Sequence, residues 1–178
     1  MTFQTATRGD GLLEMYLANK RAAIANSLIP DKLRKGSILD IGCGSYPHFL
    51  VNTPFSGKFA LDRIDVSVCS KIRQDEIVIL NQDVESNSSL PFDDDAFTVV
   101  TMLAVIEHLN PEKVVSVMTE VQRVLKKGGI LVMTTPMPWT DKLLKLLAKF
   151  NLVSSEEIDE HKAAYNMTRI STLFRAIR

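Results

Sequence analysis

Short apolar runs alternate with amphipathic stretches along most of this chain. Runs rich in Ile, Val, Leu and Phe predict β-strands at about 37–41, 58–62, 76–80, 96–103 and 130–134. Stretches with apolar residues every three to four positions predict helices between and around these strands. Because each strand is almost continuously apolar, both faces of the sheet should be covered. The pattern therefore predicts an α/β fold built on a mainly parallel sheet.

The N-terminal helix is predicted over 10–29 and ends before Pro30. We expect its apolar stripe to pack against the sheet, and this stripe consists of Leu13, Leu17, Ile24 and Leu28.

Two further helices have recognisable boundaries. Pro47 is expected at the first position of a short helix over 47–52. A longer helix is predicted to begin at Asn110-Pro111, with Asn110 as the N-cap, and to end at Gly128-Gly129 after Lys126-Lys127. Val114, Met118, Val121 and Leu125 should form its buried face.

Apolar spacing beyond Pro136 predicts three short helices, at 140–150, 155–163 and 168–177. The length of 178 residues indicates one domain with a sizeable core. We expect that domain to span 1–178, with a ligand-binding core over 36–136 and a lid or substrate segment over 137–166.

Charge and cysteine content narrow the function classes. Lysines and arginines number 21, as do aspartates and glutamates, so the formal net charge is zero. Because nucleic-acid binding requires a clustered basic excess, we expect no nucleic-acid partner. We expect no membrane partner either, since the sequence has neither a signal-peptide pattern nor an apolar run of ~18 residues. Cys43 and Cys69 lack metal-ligand spacing, which favours a reduced cytoplasmic compartment and no metal site.

The first predicted strand runs into a turn with two glycines, Gly42 and Gly44. A strand, a tight glycine turn and a helix start form an anion- or nucleotide-binding corner. In parallel α/β sheets the ligand lies beyond the carboxyl ends of the strands, which here carry Asp40, Asp62 and Asp83. Carboxylates at the second and third strand ends suit ribose hydroxyls and an adenine amine, so the predicted ligand contains adenosine.

A dinucleotide-binding enzyme would carry the pattern G-x-G-x-x-G at this turn. The sequence has Gly42-Cys-Gly44-Ser-Tyr-Pro47 instead, with proline at the third glycine position of that pattern. The match to a dinucleotide-dependent oxidoreductase is therefore poor, although that class stays open as an alternative.

The chain resembles the class I S-adenosylmethionine-dependent methyltransferases, particularly the type 11 branch. The resemblance covers about 36–136 and rests on segments in the family's order: Leu39-Asp-Ile-Gly-Cys-Gly44, Asp62, Asn81-Gln-Asp83-Val84, Val105-Ile-Glu-His-Leu109 and Leu125-Lys-Lys-Gly-Gly-Ile-Leu131. It implies a Rossmann-like sheet of about five strands with helices on both faces, and S-adenosylmethionine as the cofactor.

The resemblance also implies roles for individual residues. Asp40 and the turn at Gly42, Cys43 and Gly44 would hold the amino-acid end of the cofactor, and Asp62 would bind the ribose. Asp83 and Val84 would contact the adenine, and the backbone at Ala104 and Val105 would flank the sulfonium. Two alternatives stay open: Asp62 as a cap of the next segment, and Asp83 as a turn aspartate.

This family has no universal catalytic residue, because the sulfonium is already a strong electrophile. The sequence names only weak catalytic candidates, His108 and Glu107. Candidates for the substrate pocket are Tyr46, Trp139, His161 and Tyr165. The Pro-Pro-Tyr and Pro-Cys signatures of nucleobase methylation are absent after the fourth strand, which favours a small-molecule acceptor.

The sequence departs from the family pattern in places. Tyr46 stands at the family's third glycine position, and the chain stops at Arg178 without the usual C-terminal strand pair. Such a sheet edge would be an open pairing template, so we expect either a shortened chain or an oligomer or other partner that covers the edge. The leading hypothesis is an active methyltransferase, and the alternative is a non-catalytic or partner-dependent protein that binds S-adenosylmethionine.

Overall fold

The structure, a computed structural model, describes residues 13–63, 76–86, 89–136 and 170. Its helices are α1 (Glu14–Ser27), α2 (His48–Val51) and α3 (Val114–Val124), with 3-10 turns at Asp31–Lys35 and Ile106–His108. Its strands are β1 (Ser37–Ile41), β2 (Gly57–Asp62), β3 (Val78–Asn81), β4 (Phe97–Leu103) and β5 (Leu125–Thr134). The helices predicted at 140–150, 155–163 and 168–177 lie outside the described residues, apart from the helical Ile170.

The strands form one sheet in the order β3-β2-β1-β4-β5, and every described pair is parallel. This confirms the predicted α/β class with a Rossmann-like parallel sheet. The strand order reverses at β1, which pairs with β2 on one side and with β4 on the other. Ligands of such sheets bind at this switch point, outside the carboxyl ends of the strands.

Alternate side chains of the central strands enter two separate hydrophobic clusters. On one face, Leu39 and Ile41 of β1 pack with α3 residues that include Met118. On the other face, Ile38 packs with Ala25 of α1 and with Leu50 of α2. Helices therefore cover both faces of the sheet, as the continuous apolar strands predict.

The predicted packing stripe of α1 was wrong at Ile24 and Leu28, whereas Leu13 and Leu17 are half-buried. Ile24 is 59% and Leu28 is 60% exposed, whereas Ala25 and Ile29 are buried. Each helical residue advances about 100° around the axis. The buried face is shifted by one position from the predicted one, and this shift leaves Ile24 and Leu28 in solvent. Small side chains such as Ala25 let α1 approach the sheet closely.

The helix α3 begins later than the sequence indicates. Residues 111–113 form a turn, in which the Lys113 N–H donates a 2.8 Å hydrogen bond to the Asn110 carbonyl. Asn110 is therefore not the N-cap. Lys113 occupies that position and makes no side-chain capping hydrogen bond.

The helix also ends earlier than expected, at Val124, and the chain continues directly into β5 at Leu125. The pairing of β4 with β5 shifts between Phe97 and Val99. Gly128 has φ of +79° in this irregular region, a conformation that glycine adopts without strain. Residues 126–129 therefore belong to a distorted strand and do not form a helix terminus.

Arg123 of α3 fastens the segment that leads into β4. Its guanidinium donates to the carbonyls of Leu90 at 3.0 Å and Phe92 at 2.8 Å. It also bonds to Asp94 at 2.8 Å, and Glu120 accepts from the same group. A polar network thus fixes this loop over the end of α3.

Candidate functional site

The turn after β1 requires glycine at its first position. Gly42 has φ of +77° and Gly44 has φ of +72°, both in the left-handed region. A Cβ atom at Gly42 would lie 2.3 Å from Cγ2 of Val105. The turn is therefore packed directly against the corner that follows β4.

Asp62 joins this turn to the end of β2. Its Oδ2 accepts a 2.7 Å hydrogen bond from the Gly44 N–H, and its Oδ1 accepts one of 2.6 Å from the Arg63 N–H. The Gly42 N–H donates at 2.8 Å to the carbonyl of Leu61. The backbone of the turn is thus fixed by internal acceptors, and the Asp62 carboxylate lies beside it.

Asp40 is a buried carboxyl beneath the same turn. It is 3% exposed, and Oδ1 accepts a 2.5 Å hydrogen bond from the Thr101 hydroxyl. The pKa of Asp40 is raised to about 7, mainly by burial and also by the negative charge of Asp62, although the Thr101 hydrogen bond opposes the rise. A cation bound near this carboxyl would favour its ionised form.

Asp83 organises the turn after β3. Its carboxylate accepts hydrogen bonds from the Glu85 N–H at 2.8 Å and the Ser86 hydroxyl at 2.9 Å. Arg63 lies 3.6 Å from the same carboxylate, and Val84 is half-buried against the core. Asp83 therefore does have the turn role that the sequence left open, and its contact with adenine stays a prediction.

The corner after β4 is strained. Ala104 has φ of +58°, which is uncommon for a residue with a Cβ. Its N–H donates to both the carbonyl and the hydroxyl of Thr134, at 3.0 and 3.1 Å. These bonds to β5 hold the corner in a conformation that brings Val105 against Gly42.

Glu107 lies in the 3-10 turn that follows this corner. It is 2% exposed, and neither carboxylate oxygen has a hydrogen-bond partner of good geometry among the described residues. Burial raises the pKa of Glu107 to about 7, although its own backbone N–H, the nearby Thr135 hydroxyl and the charge of Arg21 act in the opposite direction. The neighbouring His108 is half-buried, and its backbone N–H donates to the Val105 carbonyl at 2.9 Å.

The comparison with protein families decides the identity of this arrangement. The family model described as "Methyltransferase domain" matches residues 39–133, which is more than half of the chain. The chain belongs to this methyltransferase family. It is an enzyme of the class I S-adenosylmethionine-dependent type, and S-adenosylmethionine is its cofactor.

Several solved structures share the fold of this chain. A methyltransferase of Haloferax volcanii, in complex with the Trm112 methyltransferase activator, is 19% identical with a TM-score of 0.69, over 92% of this chain and 70% of the other. The YcgJ protein of Bacillus subtilis is 20% identical with a TM-score of 0.68, over 89% and 68%. An S-adenosylmethionine-dependent methyltransferase of Archaeoglobus fulgidus is 19% identical with a TM-score of 0.64, over 89% and 67%. The search of curated proteins finds no match.

The methyltransferase brings most of its predicted cofactor residues to one edge of the sheet. Within the described residues, the turn and the ends of β1, β2 and β4 supply Asp40, Gly42, Cys43, Gly44, Asp62, Ala104 and Val105. Asp83 and Val84 follow β3 at the same edge. Tyr46 is half-buried, and its carbonyl accepts from the His48 N–H at 2.7 Å. The pocket candidates Trp139, His161 and Tyr165 lie outside the described residues.

Sequence reasoning missed the polar partners of these residues. Thr101 bonds to Asp40 from the neighbouring strand, and its only sequence signal is a hydroxyl within an otherwise apolar run. Arg63 follows Asp62 directly but meets Asp83, which is distant in sequence. Thr135 directly follows β5 and lies near Glu107, which is distant in sequence.

The donor and acceptor chemistry of this edge fits S-adenosylmethionine. Asp62 is a hydrogen-bond acceptor for hydroxyl groups, and Asp40 is a buried acid whose ionisation a cation would favour. The glycines give the turn its left-handed backbone, and Gly42 leaves room for Val105 beside it. In the part of the chain that the structure describes, no group of His, Cys, Asp and Glu side chains could hold a metal ion. Likewise, none of the described helices has the length and apolar character needed to cross a membrane.

Proposed function

We propose that this methyltransferase binds S-adenosylmethionine at the carboxyl edge of β1, β2 and β4 and methylates a small-molecule acceptor. The observation that carries this proposal is the hydrogen bond between Gly44 and Asp62. It combines a glycine turn with a ribose-type acid at the switch point of a parallel sheet, where such folds bind ligands.

The proposed roles follow the strand ends. Asp40 and the turn formed by Gly42, Cys43 and Gly44 hold the amino-acid end of the cofactor, and Asp62 binds the ribose hydroxyls. Asp83 and Val84 contact the adenine, and the backbone at Ala104 and Val105 flanks the sulfonium. Because the Gly42 and Gly44 amides already have internal acceptors, the main contribution of these glycines is close backbone approach.

When bound, the cofactor supplies a methyl group on a cationic sulfur. The contribution of the chain is to place the acceptor in line with that methyl group and to exclude water. A rigid turn serves this purpose, and here the turn is fixed by Asp62 and by the packing of Gly42 against Val105. Asp40 adds a carboxyl that becomes a full negative charge beside a positively charged ligand.

A small-molecule acceptor agrees with the charge of the chain. Equal numbers of acidic and basic residues provide no general attraction for nucleic acid. The cysteine pattern also favours a cytoplasmic location for the enzyme.

A second candidate is a protein that needs a partner for activity. It is supported by the Haloferax volcanii methyltransferase, which is bound to the Trm112 methyltransferase activator. A partner or a second copy at a sheet edge would play the corresponding part here.

The test is transfer of label from methyl-labelled S-adenosylmethionine into a cell extract that has been separated by size. We expect label in the small-molecule fraction with the purified chain alone, and none with the Asp62→Ala variant. Label in RNA or protein would contradict the small-molecule proposal. Transfer only after the macromolecular fraction is added would favour the partner-dependent candidate, and tight cofactor binding without any transfer would favour a non-catalytic protein.

A further inference from the structure

Glu107 is a buried acid whose carboxylate the described part of the fold does not satisfy. Both of its oxygens are shielded from solvent, and neither has a hydrogen-bond partner of good geometry among the described residues. The Thr135 hydroxyl lies near enough to lower the pKa of Glu107, and it too is buried without a well-aligned partner in that part of the chain. A buried polar group without a good hydrogen bond destabilises the fold, and more so when it is charged, so two neighbouring ones indicate a role outside the folding of the chain.

These two residues lie at the edge where the proposed function places the chemistry. Glu107 follows the corner of Ala104 and Val105, and Thr135 follows the last residue of β5. Ile106 and Leu109 on either side of Glu107 are buried in the core cluster that contains α3. The pKa of the carboxylate is lowered by the Thr135 hydroxyl and by the charge of Arg21. Arg21 belongs to α1, which packs on the opposite face of the sheet.

We propose that Glu107, assisted by Thr135, binds the hydroxyl group of the acceptor and takes its proton during methyl transfer. This inference rests on the proposed function and adds the acceptor class, a neutral alcohol or phenol. Within the described part of the chain, the charged group that acts on the carboxylate is Arg21 on α1, and the titratable His108 follows Glu107 in its own turn.

The preference for a neutral acceptor follows from the positive charges near Glu107. The sulfonium of the cofactor is cationic, and the guanidinium of Arg21 already acts on Glu107. An ammonium acceptor would bring a third positive charge into a desolvated space, where like charges repel strongly. A hydroxyl can donate its proton to the carboxylate and accept from the Thr135 hydroxyl without adding charge.

The transfer step balances. The O–H bond of the acceptor breaks and its proton passes to a Glu107 oxygen, and the electron pair left on the acceptor oxygen forms the new bond to the methyl carbon. The pair of the broken carbon–sulfur bond stays on sulfur, which becomes neutral. A base with a pKa of about 7 is suited to this work near neutral pH.

The test uses phenol as the hydroxyl probe and anisole, its methyl ether, as the matched probe without an O–H group. The chain is labelled with 13C in its glutamate carboxyls and saturated with S-adenosylhomocysteine, and Glu107→Gln identifies the Glu107 signal. We expect phenol to shift that signal and anisole to leave it unchanged. Glu107→Gln should weaken phenol binding at least tenfold and leave S-adenosylhomocysteine affinity within threefold, and Glu112→Gln, at an exposed glutamate, should change neither.

The same variants report on transfer. Formation of labelled anisole from phenol should fall by about 10²-fold in Glu107→Gln. Glu107→Asp should restore part of the phenol binding.

An unshifted Glu107 signal, or phenol binding by Glu107→Gln as tight as in the natural sequence, would overturn the inference. Loss of S-adenosylhomocysteine binding in Glu107→Gln would make Glu107 a structural residue and would also overturn it. Failure of the natural sequence to bind S-adenosylhomocysteine would instead refute the proposed function itself.

Discussion

The N–H of Gly44 donates a 2.7 Å hydrogen bond to Oδ2 of Asp62, so that the turn after β1 and the end of β2 form one unit. The carboxylate thereby fixes the backbone of the turn at the point where the cofactor is proposed to bind. A change at Asp62 should therefore affect both the turn and the ligand.

We predict that Asp62→Ala weakens S-adenosylhomocysteine binding at least tenfold, or by about 1.4 kcal/mol. The affinity of Asp62→Asn should lie between those of the natural sequence and of Asp62→Ala. Its amide oxygen can still accept a hydrogen bond from the Gly44 N–H, but it carries no charge. Calorimetric titration measures both, and Asp93→Ala, at an exposed aspartate, is the control. An affinity of Asp62→Ala within threefold of the natural sequence would show that Asp62 does not bind the ribose.

Gly42→Ala should be far more harmful than Gly128→Ala. Both glycines have φ near +80°, so alanine costs about 1–2 kcal/mol of backbone strain at either position. Only at Gly42 would the new Cβ also collide with Val105, whereas Gly128 faces open space. Chemical denaturation should show an additional loss of stability for Gly42→Ala, partly recovered when Val105→Ala is added. Equal destabilisation of the two glycine variants would contradict the close packing of the turn.

Asp40 should make the stability of the fold depend on pH. Its pKa rises from an ordinary 3.8 to about 7, so between these values the folded protein holds a proton that the unfolded chain has lost. Stability contributed by this carboxyl therefore falls as pH rises through that window. Asp40→Asn, which cannot ionise, should gain stability over the natural sequence by a few kcal/mol at pH 8 and by much less at pH 5.

Thermal unfolding across pH measures this difference. Thr101→Val is a useful companion variant, because loss of its hydrogen bond should raise the pKa of Asp40 further. A difference between Asp40→Asn and the natural sequence that stays constant from pH 5 to pH 8 would refute the prediction.

Arg123→Ala should destabilise the fold without affecting the cofactor. The guanidinium donates hydrogen bonds to the partly buried carbonyls of Leu90 and Phe92. Hydrogen bonds of charged groups contribute about 1.5–3 kcal/mol to stability. We expect a loss of about 2 kcal/mol in denaturant unfolding, with S-adenosylhomocysteine affinity within threefold. Lys126→Ala, at an exposed position, should be neutral. A loss below about 0.5 kcal/mol would mean that the network does not hold the loop.

The strands were predictable because burial on both faces leaves a continuous apolar run, which is visible in the sequence alone. The first strand, Ser37–Ile41, has the bounds that the sequence indicates. Helix faces were less predictable. In α1 the choice between Ile24 and Ala25 as the buried residue depends on how closely the helix approaches the sheet, which local spacing does not determine.

The site shows the same division. The positions of Gly42 and Asp62 in the turn and at the strand end follow from the chain order, since carboxyl ends of parallel strands meet at one edge. The hydrogen-bond partners of the site residues do not follow from the chain order. Thr101 reaches Asp40 only through the pairing of β1 with β4, and the pKa of Glu107 is lowered by Thr135 and Arg21, both of which are distant from it in sequence.

Calorimetric titration of the chain with S-adenosylhomocysteine, run beside an identical titration with NAD, distinguishes an S-adenosylmethionine site from a dinucleotide site. We expect saturable binding of S-adenosylhomocysteine, lost or strongly weakened in Asp62→Ala, and no binding of NAD. Clear binding of NAD together with no binding of S-adenosylhomocysteine would contradict this expectation.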